Sequence, residues 1–383
     1  MDFRLTEEHE ILKKTCQDFA AREIKPYAEE WDATEKFPYE TWKRMASLGL
    51  CGIPVEKKYG GTDGGWLATT IATEWLSWGD ASFGVTYEVH LPVVMNLIIT
   101  FGTEEQKARW LPEMARGEKI GAFGLTEPDA GSDAGSIKTR AVKDGNTWVI
   151  NGSKQFITNA GLDNSNLVIV AAVTGIREGG KKMISNFIVP RGTPGYIIGK
   201  RYKKMGWHAS FTNELFFEDC RVPDSHTLGN PERGFSQFLD ALQMGRVAFG
   251  IHAVGLAQAI FDETIKYARE RVQFGQPLCK FQVIQFKLAD MIMEIELARL
   301  MLYKAAWLKD QGMDYVPEST YGKLFASEAA RHCAHQGVQI HGGCGFCDDY
   351  AVSRYWRDVK IDEIGEGTSE VQRMVIARRV LKL

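Results

Sequence analysis

Two stretches of the chain carry residue types arranged for chemistry. Gly121–Arg140, GAFGLTEPDAGSDAGSIKTR, begins as a short apolar run from Ala122 to Leu125 and breaks at Thr126-Glu127-Pro128. The turn-rich DAGSDAGS follows, with no room for a helix. Small residues with free backbone N–H groups approach a phosphate or a flat ring closely. The stretch matches neither GxGxxG nor the P-loop pattern. Its spacing fits a phosphate-cradling loop and a cluster of β-turns equally well. Lys154–Gly161, KQFITNAG, lies close behind it. Near the other end, Glu366 in GEGTSE offers a carboxylate. Taken alone, it also suits the first turn of a helix, where an acid complements the helix dipole.

Other chemical signals are weaker. Cys344 and Cys347 form a CxxC just after His341, but a zinc site needs a second ligand pair and a thioredoxin site a βαβ setting. Gly175–Lys181, GIREGGK, imitates a P-loop without the following Ser or Thr. No GxSxG is present, which argues against an α/β-hydrolase. His332 and His335 share a helix face but have no further ligands in view, so no metal is expected.

The elements that must position these residues follow from periodicity. From Asp2 to about Leu50 the pattern is helical, with Thr6-Glu7-Glu8 as an N-cap and acidic first turn. The apolar stretch Leu67–Phe101 holds Glu74, Asp80, Glu88 and His90, which suits one or two buried helices rather than a membrane span. Thr103-Glu104-Glu105-Gln106 opens another helix. From Lys119 to about Asp224 the period becomes 2. Short runs at 120–125, 147–150, 167–173, 185–189, 196–198 and 214–217 are separated by turn residues, predicting an antiparallel barrel or sandwich. From Gly234 the helical period returns over 235–271, 281–311, 317–342 and 369–380.

At 383 residues two or three domains are expected. Hydrophobic content of 44% and charged content of 25% are those of a soluble globular protein. A net charge of −3 argues against a chain built on nucleic-acid attraction. No apolar run reaches the roughly 18–20 residues of a bilayer span, so no membrane insertion is expected. The acidic, polar start MDFRLTEEHE reads as cytoplasmic, or as a mitochondrial matrix protein already processed. Seven scattered cysteines suit a reducing compartment.

Read together, TEPDAGSD, KQFITNAG, FFEDCRVP, RVQFGQPLCKFQ, QIHGGCGF and EIGEGTSEVQRMVIAR resemble the acyl-CoA dehydrogenase family, from the first helix to the last. The resemblance implies an α+β multidomain fold: an all-helical N-terminal domain over 1–119, an antiparallel β middle domain over 120–230, and a C-terminal helical bundle over 231–383. It also implies FAD, a homotetramer built as a dimer of dimers, and electrons passed from an acyl-CoA to an electron-transferring flavoprotein. In such enzymes the α-proton of the thioester is removed as a hydride leaves the β-carbon for flavin N5. An α-C–H is a very weak acid beside a carboxylate. The base therefore needs desolvation, the enolate oxygen needs hydrogen bonds, and the flavin serves as electron sink.

By this resemblance Glu366 is the catalytic base, and its backbone N–H with a ribityl hydroxyl holds the enolate oxygen. An alternative base position of some members is taken here by Gly245. Phe123, Leu125, Thr126 and Ser132 would line the flavin ring and pyrophosphate, with Phe156, in place of a common Trp, and Thr158 on the other side. Arg271, Gln273, Phe274, Gln282, Gln339 and Gly343 would reach the dinucleotide of a neighbouring subunit, and Thr368 and Glu370 complete the site. Ser132, Gln243, Arg246 and Gly367 are the acyl-CoA contacts, although Gln243 stands where an Asp is frequent and His208 where an Arg is common. Glu88 either points at solvent or a partner group, or lines the acyl pocket as a polar contact or second base for a polar or cyclic acyl group. Short, branched and cyclic acyl groups all remain open. No Arg occurs in Phe83–Leu97, which disfavours a decarboxylating glutaryl-CoA activity. An acyl-CoA oxidase would be a longer chain. A nucleic-acid-binding flavoprotein would carry an extra basic segment, and a scaffold with a vestigial flavin site would have lost Glu366 or the FAD contacts.

Overall fold

The computed structural model describes residues 4–382; Asp2, included in the helical expectation above, lies outside them. The N-terminal part is helical: α1 (Glu7–Phe19), α2 (Ala28–Thr34), α3 (Tyr39–Ser47), α4 (Gly65–Gly79), α5 (Ala81–Glu88), α6 (Asn96–Phe101) and α7 (Glu104–Ala115). Thr6 caps α1 by accepting from the His9 N–H, and Thr103 with Gln106 forms a full capping box on α7. The apolar stretch expected to hold one or two helices is divided more finely. Asp80 ends α4 and caps α5 through the Phe83 N–H at 2.8 Å, and a π-helical turn at Val89–Met95 containing Pro92 joins α5 to α6. The proline removes a backbone donor, so the regular ladder cannot run through it. This run, and the long helix α8 (Gly234–Glu270), are apolar enough by length and composition to cross a bilayer, but 89% and 94% of their most apolar windows lie inside the fold.

The middle strands are β1 (Ile120–Gly124), β2 (Arg140–Asp144), β3 (Thr147–Thr158), β4 (Ser165–Ile176), β5 (Lys182–Pro190), β6 (Tyr196–Arg201), β7 (Thr212–Pro223) and β8 (Thr227–Leu228). They form one sheet, ordered β6-β7-β3-β2-β4-β5-β8, with β1 beside β4. The expectation of a purely antiparallel sheet is corrected: β1 runs parallel to β4, with Phe123 opposite Ile169. The chain passes through β2 and β3 before returning, a connection long enough for parallel pairing. The loop expected to hold no helix contains one short 3₁₀ turn, Ala134–Ser136.

A two-stranded hairpin, β9 (Val272–Gln273) and β10 (Gln276–Pro277), leads into α9 (Gln282–Asp310), α10 (Val316–His341), α11 (Ala351–Asp358) and α12 (Ser369–Leu381). The eight-residue α11 escapes the periodic reading because few residues set its pattern; it buries Val352 and Tyr355. The helices α4, α5, α8, α9 and α10 share one hydrophobic core with the N-terminal elements, and the sheet has a second around Val168, Phe187 and Leu215.

A buried ion pair ties the loop after β1 to the sheet. Lys154 of β3 is 1% exposed and donates to Glu127 Oε1 at 2.7 Å and to the Leu125 carbonyl at 3.0 Å. Glu127 in turn accepts from the backbone N–H groups of Lys138 and Thr139. Removing one partner of such a pair leaves an uncompensated buried charge. Lys154→Met is therefore expected to lower unfolding free energy by about 3 kcal/mol, read as a shifted urea midpoint.

Candidate active site

The turn between α11 and α12 presents Glu366. Its φ is +53°, a left-handed conformation that costs a non-glycine residue roughly 1–2 kcal/mol. The surroundings hold it there. Lys323 of α10 donates its Nζ to the Gly367 carbonyl at 2.8 Å. Gln372 of α12, fully buried, donates to the carbonyls of Glu366 at 3.1 Å and Gly367 at 2.9 Å. Behind the turn, His252 bridges Asp362 at 3.1 Å and the Ala81 carbonyl at 3.0 Å. Burial works against a charged His252, but Asp362 outweighs it and raises the imidazole.

The Glu366 Oε2 is sealed from solvent and has no hydrogen-bond partner. Burial pushes the carboxyl up to about 7, against the pull of Arg246 and Lys323. The site leaves no room across from it. A Cβ on Gly245 would stand 2.6 Å from Glu366 Oε2 and 3.6 Å from Val93 Cγ2. Lys323, itself fully buried, is brought down to about 8 by burial, with Asp362 and Glu366 opposing.

Glu88 closes α5 and is completely buried. It neither points at solvent nor pairs with a neighbour, which corrects the first of the two expectations for it: both carboxylate oxygens lack a partner. Burial, then the charges of Glu366 and Asp362, raise it well above the usual carboxylate range. Arg246, 6% exposed, donates to Gln243 Oε1 at 2.8 Å, so the glutamine carbonyl is engaged by the neighbouring arginine. His208 is bound into a different cluster, 2.9 Å from Asp32 and 2.9 Å from the Lys204 carbonyl.

The loop after β1 is open in the way a phosphate or flat ring requires. Glu127 and Ala130 close a tight turn on each other. Beyond it, among the described residues, the backbone N–H groups of Gly131, Ser132 and Asp133 have no partner, and a Cβ on Gly131 would meet nothing within 4 Å. The hydroxyls of Thr126, Ser132 and Thr158 are likewise free of side-chain bonds among the described residues. Phe156 sits at φ +59° on β3, 56% exposed, with its ring 4.9 Å from that of Tyr202. Phe123 stacks on Phe238 of α8 at 4.7 Å, and Leu125 is buried. Free donors beside an uncovered aromatic wall fit the pyrophosphate and ring of a dinucleotide flavin.

The remaining expected cofactor residues form a second patch. Arg271 precedes the β9–β10 hairpin, and Phe274 at its tip is 95% exposed at φ +51°. Gln282 begins α9, and Gln339 and Gly343 flank the end of α10. Among the described residues, no hydrogen bond, ion pair or ring contact joins this patch to Phe123, Phe156 or Glu366 in the same chain. Thr368 caps α12 by accepting from the Val371 N–H, and Glu370 lies exposed in its first turn. The residues that sequence reasoning missed are the supports: Lys154, Glu127, His252, Lys323 and Gln372. A lysine in the apolar, small-residue face of α10 was the one legible hint.

Comparison with known proteins gives the same assignment. Models of the acyl-CoA dehydrogenase N-terminal, middle and C-terminal domains match residues 6–118, 122–220 and 232–381. The probable acyl-CoA dehydrogenase YngJ of Bacillus subtilis is 50% identical over 100% of both chains. Butyryl-CoA dehydrogenase from Megasphaera elsdenii superposes with a TM-score of 0.96 at 41% identity, covering 100% of each chain. A chain solved with the electron transferring flavoprotein of Acidaminococcus fermentans as its subject gives 0.96 at 40% identity, again over 100% of each. With its helical, β and helical parts in that order, matched in turn by the three domain models, the chain belongs to the acyl-CoA dehydrogenase family of FAD-dependent oxidoreductases.

Proposed function

We propose that the protein α,β-dehydrogenates an acyl-CoA thioester with a short, branched or cyclic acyl group, with Glu366 as the base. The observation that carries this reading is the sealed, unpartnered Glu366 Oε2, whose carboxyl is raised to about 7 by burial. A base is most effective when its pKa lies near the working pH. FAD, when bound, supplies the acceptor for the β-hydride. Glu366 takes the α-proton, and its backbone N–H is the donor assigned to the thioester oxygen. Arg246 and Lys323 stabilise the ionised form without pairing directly with it. Gly245, with no side chain, lets α8 approach the carboxylate closely, and Val93 of the π-turn faces the same point.

For the cofactor, the free N–H groups of 131–133 and the hydroxyls of Thr126, Ser132 and Thr158 suit the pyrophosphate and ring edge, with Phe156 as the wall. Phe123 and Leu125 back them, and Thr368 and Glu370 flank the turn. Arg271, Gln273, Phe274, Gln282, Gln339 and Gly343 are assigned to the flavin of an adjacent subunit. That assignment accounts for the uncovered Phe274 and for the isolation of this patch within one chain. Ser132, Gln243, Arg246 and Gly367 are assigned to the CoA thioester. The chain solved with electron transferring flavoprotein as its subject supports a protein of that kind as electron acceptor. Seven free cysteines suit a reducing compartment.

The homotetramer is supported by α9. Val283, Phe286, Met293, Leu297 and Leu300 lie 50–61% exposed at intervals that keep them on one stripe of the helix. A long exposed apolar stripe marks an interface.

Three outcomes test these assignments. Anaerobic bleaching of the ~450 nm flavin band by butyryl-CoA is expected in the wild type, and Glu366→Gln is expected to slow it by roughly 10²–10⁴-fold. Since the base must be ionised, kcat/KM is expected to rise with pH through about 7. Lys323→Met, which removes a charge favouring the ionised base, is expected to move that rise upward by roughly one pH unit. Light scattering on the eluting protein is expected to give a tetramer, and Leu297→Asp to give smaller species.

A further inference from the structure

Glu88 is an anomaly among the buried acids of this fold. Glu74 is met by Arg299 at 2.7 Å and Tyr303 at 2.6 Å, Glu127 by Lys154 at 2.7 Å, and Asp362 by His252 at 3.1 Å. Asp80 and Asp358 each accept a backbone N–H, at 2.8 and 2.7 Å. Among the described residues, Glu88 is the only side-chain carboxylate with both oxygens buried and both without a partner. A buried polar group is costly unless something pairs with it.

Its position indicates what is missing. Glu88 is the last residue of α5, immediately before the π-helical turn Val89–Met95. Such turns are frequent at functional sites. Val93 of that turn and the Glu366 carboxylate both face Gly245, lying 3.6 and 2.6 Å from the point where its Cβ would stand. The charges of Glu366, Asp362 and Lys323 all reach it. Glu88 is thus near enough to Glu366 to feel its charge, at the end of the helix that leads into the turn whose Val93 faces Gly245 with Glu366.

We propose that Glu88 is a specificity-determining residue that binds a hydroxyl on the acyl chain, so that the preferred substrate is a hydroxyacyl-CoA rather than a plain alkyl thioester. The proposal rests on the dehydrogenase reading above and deepens it. An isolated buried acid neutralises instead of carrying a bare charge, and burial together with Glu366 and Asp362 favours the protonated form here. A protonated carboxyl offers one donor and one acceptor. A hydroxyl answers both: it donates to the carbonyl oxygen and accepts from the O–H. A methyl-ended chain leaves both oxygens unpaired. A dicarboxylic chain brings a further anion among Glu88, Glu366 and Asp362. An ammonium has no acceptor for the Glu88 proton. The same protonation makes Glu88 a binding group rather than a second base.

The test uses the FAD-loaded enzyme and pairs of thioesters of equal length, such as 5-hydroxypentanoyl-CoA against hexanoyl-CoA, extended one carbon either way. Amino- and carboxy-terminated analogues complete the panel. Both kcat/KM and the dissociation constant, by calorimetry, are measured for the wild type, Glu88→Gln and Glu88→Leu. The wild type is expected to favour the hydroxylated member by roughly 10- to 100-fold at one chain length, mainly through KM and the dissociation constant. Glu88→Gln, whose amide also donates and accepts, is expected to retain part of that preference, and Glu88→Leu to abolish or reverse it. A wild type that favours the methyl-, amino- or carboxy-terminated member at every length overturns the proposal. So does a hydroxyl preference that survives in Glu88→Leu. If no acyl-CoA bleaches the flavin, the dehydrogenase reading fails separately, and calorimetry still decides whether Glu88 selects a hydroxyl.

Discussion

The site depends on one constraint: a glutamate with one carboxylate oxygen sealed from solvent, on a backbone turn that would not adopt its shape alone. The left-handed conformation of Glu366 is disfavoured locally, and it persists because Lys323 and Gln372 hold the two carbonyls that follow. Both clamps come from helices packed into the C-terminal bundle, so the precision of the carboxylate is inherited from helix packing rather than from the loop. The Asp362–His252 pair extends the support to the carbonyl of Ala81, at the start of α5. The N-terminal and C-terminal helical parts are thus joined through buried polar contacts directly behind Glu366.

The sheet performs the complementary task. Its contribution is a loop whose backbone donors remain unspent, and this requires that the loop be fixed by other means. Glu127 supplies them by accepting two backbone N–H groups on the far side of the loop while Lys154 neutralises it from β3. The turn of 131–133 is left open because its neighbours are satisfied elsewhere.

Much of this was legible in the sequence. The helical, β, helical order followed from the change of hydrophobic period, and Glu366 stood out because it lies in a long, distinctive block. What escaped had physical reasons. The parallel placement of β1 is set by a connection through two other strands, which no local pattern encodes. Gln372 looks like an ordinary polar position of an amphipathic helix, and Lys323, odd among the small residues of its helix face, gives no sign of the carbonyl it holds; only the packed bundle shows both turned inward. Glu88 could be noticed as odd, but its periodic position could not say whether it met water, a partner or neither. That answer needs the surrounding helices, since α5 is buried all round.

Gly245 carries a consequence for where the acid can rest. A first side-chain carbon there would stand 2.6 Å from Glu366 Oε2, closer than two such atoms pack. The carboxylate, at the far end of a flexible side chain, is the part that would give way. The absence of one carbon atom on α8 therefore sets the resting place of an acid carried on a distant loop.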